Sequence, residues 1–176
     1  MANEKKTDLL VADLLNRAGI KATPNGSSIE EIQTALATAS KRGTGRNGFP
    51  EYVAQVGEFI IVIEDKAETS KQAKFIDPNN PKALLMDRTS VSDYAENGAV
   101  FYARHIVDNT HFKKVFAFGC SGMEEGRLII RPIYVSSNMV MLLPRVSNFA
   151  EFSPEHIFNY YQEKVLGNKT VEQVEL

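Results

Sequence analysis

The sequence predicts an α/β fold, and three observations predict it. Helix-like and strand-like segments follow one another in the order α, α, β, β, α, β, β, α. Two apolar runs split by Gly57-Glu58 read as a tight β-hairpin, with glycine free to take the positive φ such turns need. The 176 residues are 43% hydrophobic and 24% charged, a composition that fills one ordinary core.

Each element has its own signal. Residues 7–19 place Leu10, Val11, Leu14, Leu15 and Ala18 at helical spacing, and Gly19 ends the run. Pro24-Asn25-Gly26-Ser27 is turn chemistry. Ser28 then caps a helix through Ala39, with Ile29, Ile32, Leu36 and Ala39 on one stripe. Lys41 to Gly48 is a glycine-rich basic loop that leads into the hairpin of residues 51–66. A polar stretch, residues 67–90, holds the breaker cluster Asp77-Pro78-Asn79-Asn80-Pro81. Residues 91–107 predict a helix with Val91, Tyr94, Ala95, Ala99, Tyr102 and Ile106 on its buried side. Residues 114–119 and 128–135 predict two strands, and Pro132 assigns the second to an edge or a bulge. Residues 153–166 predict a last helix, with Ser153 as cap, Pro154 at the first position and Gly167 as stop. The remainder, 168–176, reads as a tail or a linker to a further domain.

Composition excludes several classes of function. A net charge of −2 gives no overall basic signature, so any nucleic-acid contact needs a local patch. The single Cys120 rules out an internal disulfide framework and a cysteine-built zinc cage. Glu4, Asp8 and Asp13 interrupt the apolar residues of the N-terminus, unlike a secretory leader. No apolar run reaches membrane-spanning length, so no membrane partner and a cytoplasmic protein are expected.

The chemistry concentrates in the hairpin. A two-residue turn at Gly57-Glu58 makes Val56 face Phe59, Val53 face Val62 and Glu51 face Glu64. Facing Cβ atoms lie about 4.5–5.5 Å apart, where like charges repel. Strand alternation puts Lys66 on the face of Glu64 and turns Asp65 away. A divalent cation is the natural compensation for two facing carboxylates. Such a set suits phosphodiester hydrolysis: acids hold Mg²⁺, and a lysine orients water or stabilises charge on the phosphate. From spacing alone, a surface hairpin ending in solvated charges, with Lys66 paired to Glu64, is an equal reading.

The same residues resemble a known family. Pro50-Glu51, twelve intervening residues and Glu64-Asp65-Lys66 look like the PD-(D/E)xK nuclease motif in its Pro-Glu…Glu-x-Lys form. The run from Ser40 to Glu51, the segment Tyr94 to Tyr102 and the segment Phe116 to Gly122 are similar to restriction-enzyme nuclease domains. Together they cover residues 28–135. The likeness is to the N-terminal endonuclease domain of type I and type IIG restriction-modification enzymes. It implies a restriction-endonuclease-like core, a mixed sheet of four to five strands flanked by helices. It further implies one nuclease domain over residues 1–167, with 1–27 as a helical extension. Glu51 and Glu64 would bind Mg²⁺ (or Mn²⁺), Asp65 would offer its backbone carbonyl, and Lys66 would be catalytic. The substrate would be double-stranded DNA, and the partners methyltransferase, specificity or translocase domains or subunits of the same system.

The sequence departs from that pattern in two places. The first acid is Glu51, where aspartate is more usual. No glutamine is evident on the helix after the triplet, and Tyr94, Asn97 and Tyr102 are the candidates to replace it. Glu31 has two readings: the closing acid of a Ser28-Ile29-Glu30-Glu31 capping box, or an acid of the first core helix near the metal. Lys41, Arg42 and Arg46 either neutralise phosphates or form a solvated loop, and Lys71 and Lys74 are weaker candidates. That loop lacks the Gly-Lys-Ser/Thr of a nucleotide-binding loop. His105, His111 and His156 have no ligand spacing. Cys120-Ser121-Gly122 lacks the surroundings of a nucleophile elbow. The rival to a nuclease is a DNA-binding or assembly module of the same fold that does not cut.

Overall fold

A computed structural model describes residues 3–40 and 49–167. Lys41, Arg42 and Arg46 therefore lie outside the described residues. The helices are α1 (Glu4–Arg17), α2 (Glu30–Leu36), α3 (Arg88–Asp93), α4 (Ala95–Asn109) and α5 (Ile157–Tyr160), the last continuing in π-helical turns over Tyr161–Leu166. The strands are β1 (Ala22–Pro24), β2 (Tyr52–Val56), β3 (Phe59–Lys66), β4 (Val115–Ser121), β5 (Ile129–Ser136) and β6 (Met139–Leu142). They form one mixed sheet in sequence order, parallel between β3 and β4 and antiparallel elsewhere.

Among the described residues, six strands replace the four to five expected. The additions are the two edges, three and four residues long, too short to register as periodic runs. Pro24 sits on the outermost strand, where its missing N–H costs no ladder bond. β6 follows β5 after only Ser137-Asn138.

β3 explains the two-layered core. Seven of its eight residues are buried, because it lies inside the sheet with helices on both faces. Phe59, Ile61 and Ile63 point to one face with Phe116 and Phe118, under α1 and the C-terminal helix. Ile60 and Val62 point to the other with Val115 and Ala117, under α2 and α4. Gly57 takes φ +59° at the hairpin turn, and the register pairs Val53 with Val62 and Val56 with Phe59 as the turn length predicts.

Three local expectations changed. The helix expected over 91–107 is broken at Tyr94, whose extended backbone separates α3 from α4. The last helix starts later than Ser153: a turn in which the Ser153 carbonyl accepts from the Ile157 N–H at 2.9 Å precedes it. Pro132 is inside the sheet and not at its edge, paired with Phe118 of β4. It is tolerated because the β6 ladder has ended at Ile133. Leu143 N–H still donates to the Pro132 carbonyl (3.0 Å), and the Arg131 guanidinium donates to the Leu143 carbonyl (2.9 Å), standing in for the donor proline lacks.

Candidate metal centre at the end of the hairpin

Glu51 stands one residue before β2, and its N–H donates to Glu64 Oε1 at 3.2 Å. The two residues expected to face each other thus do meet at the open end of the hairpin. Glu64 projects to the α4 face with Val62, and the neighbouring Asp65 projects to the α1 face with Ile63. Both carboxylates are buried, Glu64 at 4% and Asp65 at 1% exposure. Asp65 turns away from Glu64, as alternation requires, yet it does not reach solvent. The start of α1 covers it.

That cover brings in acids that in the sequence served only to argue against a secretory leader. Single carboxylate oxygens of Asp8, Glu51 and Asp65 all lie within 4.8 Å of one another. Glu4 sits at the margin of the same group, next to Glu51. Both Asp65 oxygens and Asp8 Oδ1 are buried without a hydrogen-bond partner among the described residues. Burial, then Asp8, Glu64 and Glu4, pushes the Glu51 carboxyl up to about 8. Asp65 is pushed well up by burial first and then by the Asp8 carboxyl beside it. A set of oxygen ligands, crowded and partly buried, fits a hard divalent cation and not a soft metal.

Asp8 was detectable. Glu4, Asp8, Val11 and Leu15 share one helical stripe, and Val11 and Leu15 are fully buried on it. An acid in line with a buried stripe points inward. Packing also fixes it there: Thr7 Oγ1 donates to the Gly122 carbonyl at 2.6 Å, and the Tyr52 hydroxyl donates to the Asp8 carbonyl at 3.1 Å.

Comparison with known proteins adds the context. No family model and no solved structure matches the chain. The type II restriction enzyme and methyltransferase RM.BcgI of Heyndrickxia coagulans is 36% identical over 179 aligned positions, which take in the whole chain. The chain is related to a restriction enzyme. It spans 28% of that relative's length. No helix among the described residues is long and apolar enough to cross a membrane.

The other residues that stand out in this chain's sequence fall as follows. Lys66 is half-buried on the Glu64 side, and its ammonium donates to the Ser92 carbonyl at 3.0 Å. Glu31 does not close a capping box. Its carboxylate accepts from the His111 N–H and ring, and these contacts hold it below the usual carboxylate range. His111 precedes β4, so Glu31 sits by the opposite end of the sheet from Glu64. The intervening length of β3 is roughly 17 Å. Asn97 is spent on the 67–90 segment, donating to the Lys74 and Leu85 carbonyls at 2.8 and 2.7 Å. Tyr102 lies beside the Phe49 backbone and near Glu64. Tyr94 carries Lys71 and Lys74 over its ring, at 5.2 and 5.9 Å.

A buried glutamine does follow the triplet. Gln72 donates to Glu96 Oε2 (2.7 Å) and the Gly119 carbonyl (2.8 Å), and accepts from Ser121 Oγ (2.5 Å). It ties the turn after β3 to α4 and β4, and so fixes the strand end that carries Glu64 and Lys66. Its signal was weak because it lies in a 3₁₀ turn region of an otherwise polar stretch.

Proposed function

We propose that the chain is the endonuclease domain of a restriction-modification enzyme of type I or type IIG character, hydrolysing phosphodiester bonds of double-stranded DNA with Mg²⁺. One observation carries the reading. Glu51, Glu64, Asp65 and Lys66 stand together at one end of β3, in a chain related along its whole length to a restriction enzyme.

Glu51 and Glu64 would hold the ion, with the Asp65 backbone carbonyl as a further oxygen. A bound divalent cation supplies charge to the scissile phosphate and a water of lowered pKa. Lys66, on the face of Glu64, brings an ammonium to the charge that builds on the phosphate and to the attacking water. Lys41, Arg42 and Arg46 take neighbouring phosphates, a contact that carries no sequence information. Choice of sequence falls to methyltransferase, specificity or translocase parts of the same cytoplasmic system. Glu31, held by His111, has no role in this scheme.

Cleavage of double-stranded DNA by the complete polypeptide, with Mg²⁺ or Mn²⁺, tests the proposal. Glu64→Ala and Lys66→Ala should each lower the rate by roughly a hundredfold or more, with the fold intact by thermal melting. Undiminished cutting by either variant would sink it. DNA that is bound and never cut would instead identify a non-cleaving module of the same fold.

A further inference from the structure

The Glu51–Glu64 position uses one side of β3. A role for the Asp65 backbone carbonyl gives no reason to bury a second carboxylate on the opposite face. Strand alternation sends Glu64 toward α4 and Asp65 toward α1. On the α1 side Asp65 is 1% exposed, and neither of its oxygens meets a hydrogen-bond donor among the described residues. One oxygen of Asp8 is in the same condition. An ionised carboxylate so placed is costly unless a cation or a donor compensates it.

We propose that the carboxylates of Asp8, Glu51 and Asp65 form a second divalent-cation site on the α1 face of the sheet, with Glu51 shared between it and the Glu64 position. Three features support the site as a built one. The three ligand oxygens already converge within 4.8 Å. They come from three separate elements, each fixed by packing: Asp8 by the Thr7 and Tyr52 contacts, Glu51 by the hairpin register, Asp65 by β3. And both Asp65 oxygens and one Asp8 oxygen are buried there with no hydrogen-bond partner among the described residues. Oxygen ligands alone select a hard cation, Mg²⁺, Mn²⁺ or Ca²⁺. Glu4, at the margin, can add a fourth carboxylate.

The use of this ion in cleavage rests on the nuclease reading; its binding does not. Mn²⁺ is therefore the probe, titrated without DNA and counted by the loss of the free-ion electron paramagnetic resonance signal. Loss of an outer-shell partner alone costs about 10–100-fold in metal affinity, so removing a direct ligand should cost at least as much. Asp65→Asn and Asp8→Asn should each weaken one class of bound Mn²⁺ by that factor, while Glu64→Gln leaves that class in place. Thermal melting of the metal-free variants checks folding, and the half-exposed Asp8 serves if Asp65→Asn does not fold. Wild-type Mn²⁺ binding in both asparagine variants would overturn the site, even if Glu64→Gln abolishes DNA cleavage. A chain that loses Mn²⁺ through Asp8 and Asp65, yet never cuts DNA in the complete protein, keeps the site and overturns the nuclease.

Discussion

At the scale of single residues, Glu51 makes the clearest prediction. Its carboxyl titrates near 4.5 in the unfolded chain and is pushed up to about 8 in the fold, by burial first and by neighbouring acids next. A raised acid contributes stability that is fully present below about 4.5 and is lost as pH rises through about 8. The metal-free protein should therefore lose this contribution between mildly acidic and mildly alkaline pH. Glu51→Gln mimics the protonated group, so its melting temperature should match wild type near pH 5 and exceed it near pH 9. Paired thermal melts across that range decide the matter; a difference that does not grow with pH would refute the placement. Excess Mg²⁺ should close the gap from the wild-type side, since an ion that binds only the folded state stabilises it. The sequence carried the meeting of Glu51 with Glu64, because a two-residue turn and strict alternation leave one register. It marked Asp8 only by its place in line with the Val11 and Leu15 stripe, and its acidic partners became legible only with the strand that packs beneath that helix.

At the scale of elements, α4 approaches β4 so closely that a side chain at Gly119 has no room. A Cβ there would lie 2.5 Å from Glu96 Cγ and 2.6 Å from the Glu96 backbone nitrogen. The backbone atom cannot swing aside, so Gly119→Ala must push α4 off the sheet. Overpacking of this kind costs about 1–3 kcal/mol. For a chain of this length that lowers the melting temperature by roughly 2–4 °C per kcal/mol. An unchanged melt would show that α4 has slack at its first turn. The contact also bears on the site, because Gly119 pairs with Glu64 and Gln72 bonds the Gly119 carbonyl. The long central elements were legible in sequence: β3 as an apolar run, α4 as a stripe of small and apolar residues. The break at Tyr94 and the two edge strands were not. Their conformation is set by tertiary contacts, such as Ala22 pairing with Ala54, and not by a local period.

At the scale of the whole molecule, the order of assembly follows from one pairing. β3 and β4 run side by side in the same direction, and residues 67–114 separate them in sequence. Closing so long a segment is slow compared with forming the β2–β3 hairpin, since its entropy must be spent before the contacts form. In the interval β3 offers an open edge with Phe59-Ile60-Ile61-Val62-Ile63, five apolar residues without charge or proline. Refolding from denaturant should therefore show a hairpin phase followed by a slower phase in which β4 docks. Losses to aggregation should rise with protein concentration, read by light scattering, and supplying divalent cation early should not rescue them. The strand that brings the carboxylates together is thus also the one whose exposure sets the fate of a nascent chain. Evolution can tune that hazard only through residues that leave the acids at its far end in place.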